Sequence, residues 1–175
     1  GIYKILDEKA AQLSPGAEGL ICVPHLGGRA CPNNTTYRGV WHGFTWSHKQ
    51  EHFYRSILEG IAYDQYLSYE ALTETYGKAE ITEVIAYGGG PKSPLWNQIK
   101  SDVMGLPYVC LGRDDISAVG NTIVAGYAIG LYDDMVKAAK QFVKPSERYE
   151  PNPQAHEAYQ RYVAIYRGLL ARSEP

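Results

Sequence analysis

The segment from Val84 to Pro107 constrains the fold more than any other part of the chain. It reads VIAYGGGPKSPLWNQIKSDVMGLP. The apolar residues 84–87 predict a short buried strand, which the three glycines Gly88, Gly89 and Gly90 then end. A helix follows, because Ser93 is a good capping residue and a proline at the first helical position needs no backbone donor. The segment is therefore predicted to be a strand, a glycine corner and a capped helix.

Such a corner is suited to binding an anion. Glycines let a ligand approach the backbone, and the start of a helix presents free amides and positive dipole. Gly88, Gly89, Gly90 and Ser93 are accordingly the candidate ligand-binding residues. The alternative is a tight connection whose glycines only satisfy backbone geometry, and three glycines alone favour that simpler interpretation.

The order of elements predicts the fold class. Short apolar strands are expected at residues 20–24, 84–87 and 108–111, and a long helix runs from His48 to about Tyr76. Further helices follow the second and third of these strands, so strands and helices alternate. Alternation of this kind predicts an α/β domain whose sheet is covered by helices. In such domains ligands lie beyond the carboxyl ends of the strands, where the glycine corner is placed.

Several single residues and short segments also lead to structural predictions. Gly60, inside the long helix, predicts close packing against a neighbour. Glu59 is a candidate catalytic carboxylate, but a solvated helix charge is the preferred interpretation, and Arg29 is expected to be a solvated charge or a local ion pair rather than a phosphate or sugar contact. The small residues of helix 116–131 predict close packing, and the prolines of residues 144–153 predict turns.

Composition narrows the classes of function. The chain has 175 residues, of which 45% are hydrophobic, and a net charge of -2, which fits one globular domain and argues against nucleic acid or an anionic membrane as a partner. The apolar runs are too short to span a bilayer and no signal peptide is evident, so the cytoplasm is expected. The three widely spaced cysteines predict free thiols and no zinc site. Because the chain starts at Gly1 without a methionine, we expect it to be part of a longer protein.

Four segments together resemble the carboxyl-terminal domain of the FGGY carbohydrate kinases, and the xylulokinase-like members most of all. Residues 88–107 are similar to the adenosine-site segment of that family, and residues 56–62 to the long helix that precedes it. Residues 118–126 resemble its small-residue helix and residues 149–166 its tail. The resemblance covers essentially the whole chain, residues 1–175.

The resemblance implies an actin-like ATPase fold, of the ribonuclease H-like type, with a short mixed sheet covered by helices. In that family ATP and sugar bind between two domains. By position, Gly88, Gly89, Gly90 and Ser93 would line the adenine and ribose-phosphate side of ATP, with Mg²⁺ as the second cofactor. The partner would be the amino-terminal domain of the same parent chain, and the aspartate base would lie upstream of this sequence. Residues 27–32 depart from the family pattern Gly-Glu-Arg-x-Pro, which leaves the sugar open.

The predicted function is therefore the nucleotide-binding half of an ATP-dependent sugar kinase that acts on xylulose or a related ketopentose or polyol. No catalytic residue and no metal ligand is expected within this chain, which alone should be nearly inactive. The alternative from another class is a non-catalytic actin-like interaction or regulatory module. A Rossmann-type dehydrogenase is disfavoured, because the corner lacks the spaced third glycine and the acidic residue that follows it. The sequence does not decide whether the protein forms a homodimer.

Overall fold

The structure is a computed structural model that describes residues 1–77, 81–113 and 115–173. These residues form six α-helices and five β-strands, in the order α1 (Ile2–Ala10), β1 (Ile21–Val23), β2 (Val40–His42), α2 (Gln50–Tyr76), β3 (Val84–Ala86), α3 (Pro94–Met104), β4 (Tyr108–Leu111), α4 (Ile116–Ala128), α5 (Met135–Phe142), β5 (Pro145–Tyr149) and α6 (Pro153–Arg172). The predicted strands, the long helix and the helix after the glycine corner are all present.

The strands form two small sheets. β1 and β2 pair antiparallel, with Cys22 opposite Trp41. The second sheet has the order β3-β4-β5, in which β3 and β4 are parallel and β4 and β5 are antiparallel. This second sheet is mixed, as the resemblance implied, and α3 connects its two parallel strands.

The main core lies where α2, α3 and α6 pack together against β1. Its buried side chains include Tyr63 of α2, Ile99 and Val103 of α3, and Tyr159 and Tyr166 of α6. The prediction of close packing at Gly60 is confirmed. A Cβ atom at this position would lie 2.2 Å from the carbonyl oxygen of Cys22, so only glycine lets α2 approach β1 this closely.

The two ends of α3 form as its sequence predicts. The Ser93 hydroxyl accepts a hydrogen bond of 3.1 Å from the backbone amide of Trp96, and Pro94 occupies the first helical position. Gly105 ends the helix with a left-handed φ of 65°. The capping hydroxyl and the terminal glycine together fix where the corner meets the helix.

The expectation that residues 84–87 are buried is wrong in part. Ile85 is 57% exposed and Tyr87 is 55% exposed, whereas Ala86 is buried. The physical reason is that β3 is an edge strand among the described residues, since it pairs with β4 on one side only. Apolar composition indicated a strand correctly, but not how many neighbours the strand has.

Two further expectations need correction. The segment at residues 144–153 was predicted to be turns, but β5 runs through it and pairs with β4. In α4 close packing holds only locally. A Cβ atom at Gly126 would lie 2.6 Å from the Tyr132 ring, while one at Gly120 would meet nothing within 4 Å.

All three cysteines, Cys22, Cys31 and Cys110, are free thiols, as predicted. No helix in the described part of the chain is long and apolar enough to span a membrane.

Candidate functional site

A cleft of about 840 Å³ separates α1 from the glycine corner. We call it the α1–corner cleft. Its lining includes Tyr3 and Asp7 from α1, Gly89 and Gly90 from the corner, and Ser93 and Trp96 from the start of α3. The cleft thus opens at the place where the sequence predicts a ligand, at the start of a helix that follows a strand.

The walls of this cleft are mainly apolar. Trp96 forms one of them, and its indole N–H donates a hydrogen bond of 3.0 Å to the carbonyl oxygen of Leu58, which fixes the ring. Gly90 lies against the same ring, since a Cβ atom there would be 3.3 Å from it. Tyr3 and Leu95 add further apolar surface. A flat aromatic ligand finds large hydrophobic contacts in such a space.

One polar group inside the cleft is held rigidly. Asp7 accepts a hydrogen bond of 2.8 Å from the Tyr54 hydroxyl through Oδ1 and another of 2.8 Å from the Ser93 hydroxyl through Oδ2. Burial, followed by the bond to Asp7, raises the pKa of Tyr54 well above its usual range, so this phenol stays protonated as a donor. The carboxylate is therefore tied to both α2 and the cap of α3.

The structure brings most of the predicted site residues together. Gly89, Gly90 and Ser93 all line the α1–corner cleft, whereas Gly88 does not. Gly88 instead has a φ of 89°, which makes it the residue that turns the chain out of β3. Asp7 and Tyr54 were not anticipated from the sequence. Asp7 is separated from Ser93 by 86 positions, so no local pattern links the two.

A buried lysine packs against the Trp96 ring. Lys100 is 4% exposed, and its Nζ atom sits 3.6 Å from the centroid of the Trp96 ring. It also donates a hydrogen bond of 3.3 Å to the Tyr108 hydroxyl. Because burial disfavours the charged form, the pKa of Lys100 falls from its usual 10.5 to about 8. Lys100 also lies close to the corner, since a Cβ atom at Gly90 would be 3.7 Å from its Nζ atom.

Glu59 is not the solvated helix charge that the sequence favoured. It is 1% exposed and accepts hydrogen bonds from Arg55 Nε at 2.7 Å, the Gly16 amide at 3.0 Å and the Tyr159 hydroxyl at 3.0 Å. Burial raises the pKa of Glu59, and the neighbouring guanidinium opposes that rise. The residue joins α2, α6 and the turn after α1, and it does not line the α1–corner cleft.

Arg29 forms an ion pair, as one of the two expectations held, but its partner lies on α2 and is not local in sequence. Its Nη2 atom lies 2.8 Å from Asp64 Oδ1, and the side chain is 10% exposed, so it is not solvated. His25 lies beside the pair, with Nε2 3.5 Å from the same carboxylate oxygen, and burial lowers the pKa of His25. His25 and Asp64 line a second cavity of about 590 Å³.

Mg²⁺ is the second cofactor that the resemblance implies. Within residues 1–77, 81–113 and 115–173, no group of three or more His, Cys, Asp or Glu side chains is placed to hold a metal ion.

The fold and the corner place the chain in the class of actin-like ATPase domains. Over 97% of its length it superimposes on xylulose kinase from Rhodospirillum rubrum, with a TM-score of 0.79 and 32% sequence identity, and it covers 34% of that chain. The expected fold class is confirmed.

Sequence comparison gives the family. Residues 3–129 match the FGGY family of carbohydrate kinases, C-terminal domain. The chain is 28% identical to a xylulose kinase of Staphylococcus epidermidis over 94% of its own length and 33% of the relative. It is 32% identical to a gluconokinase of Bacillus subtilis, over 95% of its own length and 32% of the relative. The chain therefore belongs to the FGGY family of carbohydrate kinases, and it spans about a third of the length of these relatives.

Proposed function

We propose that the α1–corner cleft holds the adenosine part of ATP. The observation that carries this proposal is that Gly89, Gly90 and Ser93, selected from the sequence as nucleotide contacts, line one apolar cleft. The Trp96 ring and Tyr3 offer apolar surface to a base, and the two glycines allow the ligand to approach the backbone. Gly88 would act indirectly, by shaping the turn.

The parent protein would be an ATP-dependent kinase that phosphorylates a sugar hydroxyl in the cytoplasm. We put xylulose or a related ketopentose or polyol first among its substrates, in line with the relatives named xylulose kinase. Gluconate belongs in the same assay, because other relatives are named gluconokinase. This chain would supply the nucleotide half of the site, and the rest of the parent chain would supply the sugar contacts and the aspartate base.

Phosphoryl transfer depends on positioning and on neutralising the charge of the transferred group. The described residues contain no group of three or more His, Cys, Asp or Glu side chains placed to hold a metal ion, and the proposed catalytic base lies outside this sequence. The chain alone should therefore bind nucleotide without rapid turnover. An assay of ADP release with xylulose, related polyols and gluconate should show rates far below the roughly 1 to 1000 per second of ordinary enzymes.

Substitution of Gly89 tests the nucleotide site directly. Gly89 has a φ of -77°, which any residue adopts, and a Cβ atom there would meet nothing within 4 Å. Gly89→Phe should therefore fold normally but obstruct the cleft. Calorimetric titration with ATP should show at least a tenfold loss of affinity. The matched control is Gly120→Phe, which also enters open space but lies on α4, away from the cleft.

Equal ATP affinity of the two variants would show that the nucleotide does not bind in the α1–corner cleft. If neither variant nor the original chain binds ATP while all three are folded, the proposed function is rejected. The alternative, a non-catalytic interaction or regulatory module, then replaces it.

A further inference from the structure

We propose that Asp7 recognises the 6-amino group of the purine, and so selects adenine over a 6-oxo purine. This inference rests on the proposed function, because it concerns the base that the α1–corner cleft would hold. It assigns specificity to α1, an element in which the sequence indicated no ligand contact.

The first step is that the single proton of the Ser93 hydroxyl is already used. A serine hydroxyl has one proton to donate, and that of Ser93 goes to Asp7 Oδ2 at 2.8 Å. The Ser93 hydroxyl oxygen itself accepts a hydrogen bond of 3.1 Å from the backbone amide of Trp96. A base in the cleft therefore does not receive the Ser93 proton unless the cap of α3 is rearranged.

The second step is that Asp7 keeps acceptor capacity. An ionised carboxylate accepts about four hydrogen bonds and donates none. Two of these positions on Asp7 are filled, by Tyr54 and by Ser93. The two donors come from different elements and hold the carboxylate in place, while the residue is only partly buried and lines the cleft. A pre-positioned acceptor is thus available to a ligand.

The third step is chemical discrimination. Adenine carries an amino group at position 6, which donates to a carboxylate, whereas hypoxanthine and guanine carry an oxygen there, which repels it. Hydrogen bonds to charged groups are stronger than neutral ones, and an unpaired buried acceptor is costly. The other charged side chains of the cleft, Lys4, Glu8 and Lys92, are exposed, so water and salt screen them more strongly.

The test is to compare ATP with inosine triphosphate by calorimetric titration of the 175-residue chain. We expect ATP to bind at least about tenfold more tightly. In Asp7→Asn the affinities for ATP and inosine triphosphate should differ by no more than about threefold, because the amide presents a donor as well as an acceptor. Asp133→Asn is the matched control, since Asp133 is exposed and lies outside the cleft; it should keep the original ratio.

The ratio separates recognition from a merely structural role. If Asp7 only anchored α1 to α3, Asp7→Asn would weaken both nucleotides equally and leave the ratio unchanged, which would overturn the inference. Equal binding of the two nucleotides to the original chain would also overturn it, while leaving the proposed function intact. Failure of both nucleotides to bind a chain with a normal far-ultraviolet circular dichroism spectrum would instead reject the proposed function.

Discussion

Lys100 places a positive charge in the core behind the candidate nucleotide site. In the described part of the chain it contacts the rings of Trp96 and Tyr108 and the Tyr108 hydroxyl, and none of the ion pairs there includes it. A buried charge without an opposite charge reduces stability. The residue therefore costs folding free energy, and the size of that cost depends on pH.

Lys100→Met should stabilise the chain. In the folded state the pKa of Lys100 is about 8, below its unfolded value of 10.5. Below pH 8 the ammonium is charged in both states and the penalty is complete, on the order of 3 kcal/mol for a difference of this size. As the pH rises from 8 towards 10, the folded state releases the proton first, so the original chain gains stability.

Urea unfolding of both chains between pH 7 and 10 measures this effect. The advantage of Lys100→Met should be largest near pH 7 and should shrink as the pH rises. A difference that is constant with pH would show that packing against Trp96, rather than charge, decides the result.

At the scale of elements, the contact between α2 and β1 fixes how the long helix approaches the rest of the domain. A Cβ atom at Gly60 would lie 2.2 Å from a backbone oxygen of β1, which cannot move without shifting the strand. Gly60→Ala should therefore destabilise the chain by about 1 to 3 kcal/mol, as overpacked cores do. Thermal unfolding followed by circular dichroism gives the measurement.

Gly120→Ala is the matched comparison for that substitution. It makes the same chemical change inside a helix, but its Cβ atom enters open space. Because alanine favours helix over glycine, the variant should gain up to roughly 1 kcal/mol. Equal effects of the two substitutions would mean that helix propensity, and not the approach of α2 to β1, controls stability at Gly60.

Local sequence patterns predicted the elements whose ends are marked by capping residues, glycines or prolines. The glycine corner, the Ser93 cap and Gly105 lie in one continuous segment, residues 88–105, so α3 could be located from the sequence. β5 could not, because Ser146, Glu147 and Arg148 are polar and prolines lie on both sides of them. Its strand conformation comes from pairing with β4, where Cys110 lies opposite Glu147, and propensity does not report such a partner.

The sequence predicted the residues on only one side of the α1–corner cleft. Gly89, Gly90 and Ser93 form a contiguous motif, but Asp7 and Tyr54 reach the cleft from helices distant in sequence. The environment of Glu59 in the core was likewise not predictable from the local sequence. Its position on α2 suggests a solvated charge, whereas four donors converge on it from α2, α6 and the turn at Gly16. Long-range polar contacts of this kind follow from the packing of helices.

At the scale of the whole molecule, the chain forms one side of a proposed two-sided site. It covers about a third of its kinase relatives, and large apolar side chains such as Ile85 on β3 and Ile129 after α4 are exposed in it. Whether two copies associate through such surfaces stays a prediction. The central claim needs neither a second copy nor turnover, because it concerns the binding of nucleotide in the α1–corner cleft.

The most direct measurement of that claim is a map of amide chemical shifts by ¹H–¹⁵N NMR during titration with ATP. The claim predicts saturable shifts of the Gly89 and Gly90 amides and of the Trp96 indole N–H, with smaller changes around His25 and Asp64. Shifts that concentrate at the His25–Asp64 cavity, or no saturable shifts in a folded chain, would contradict it.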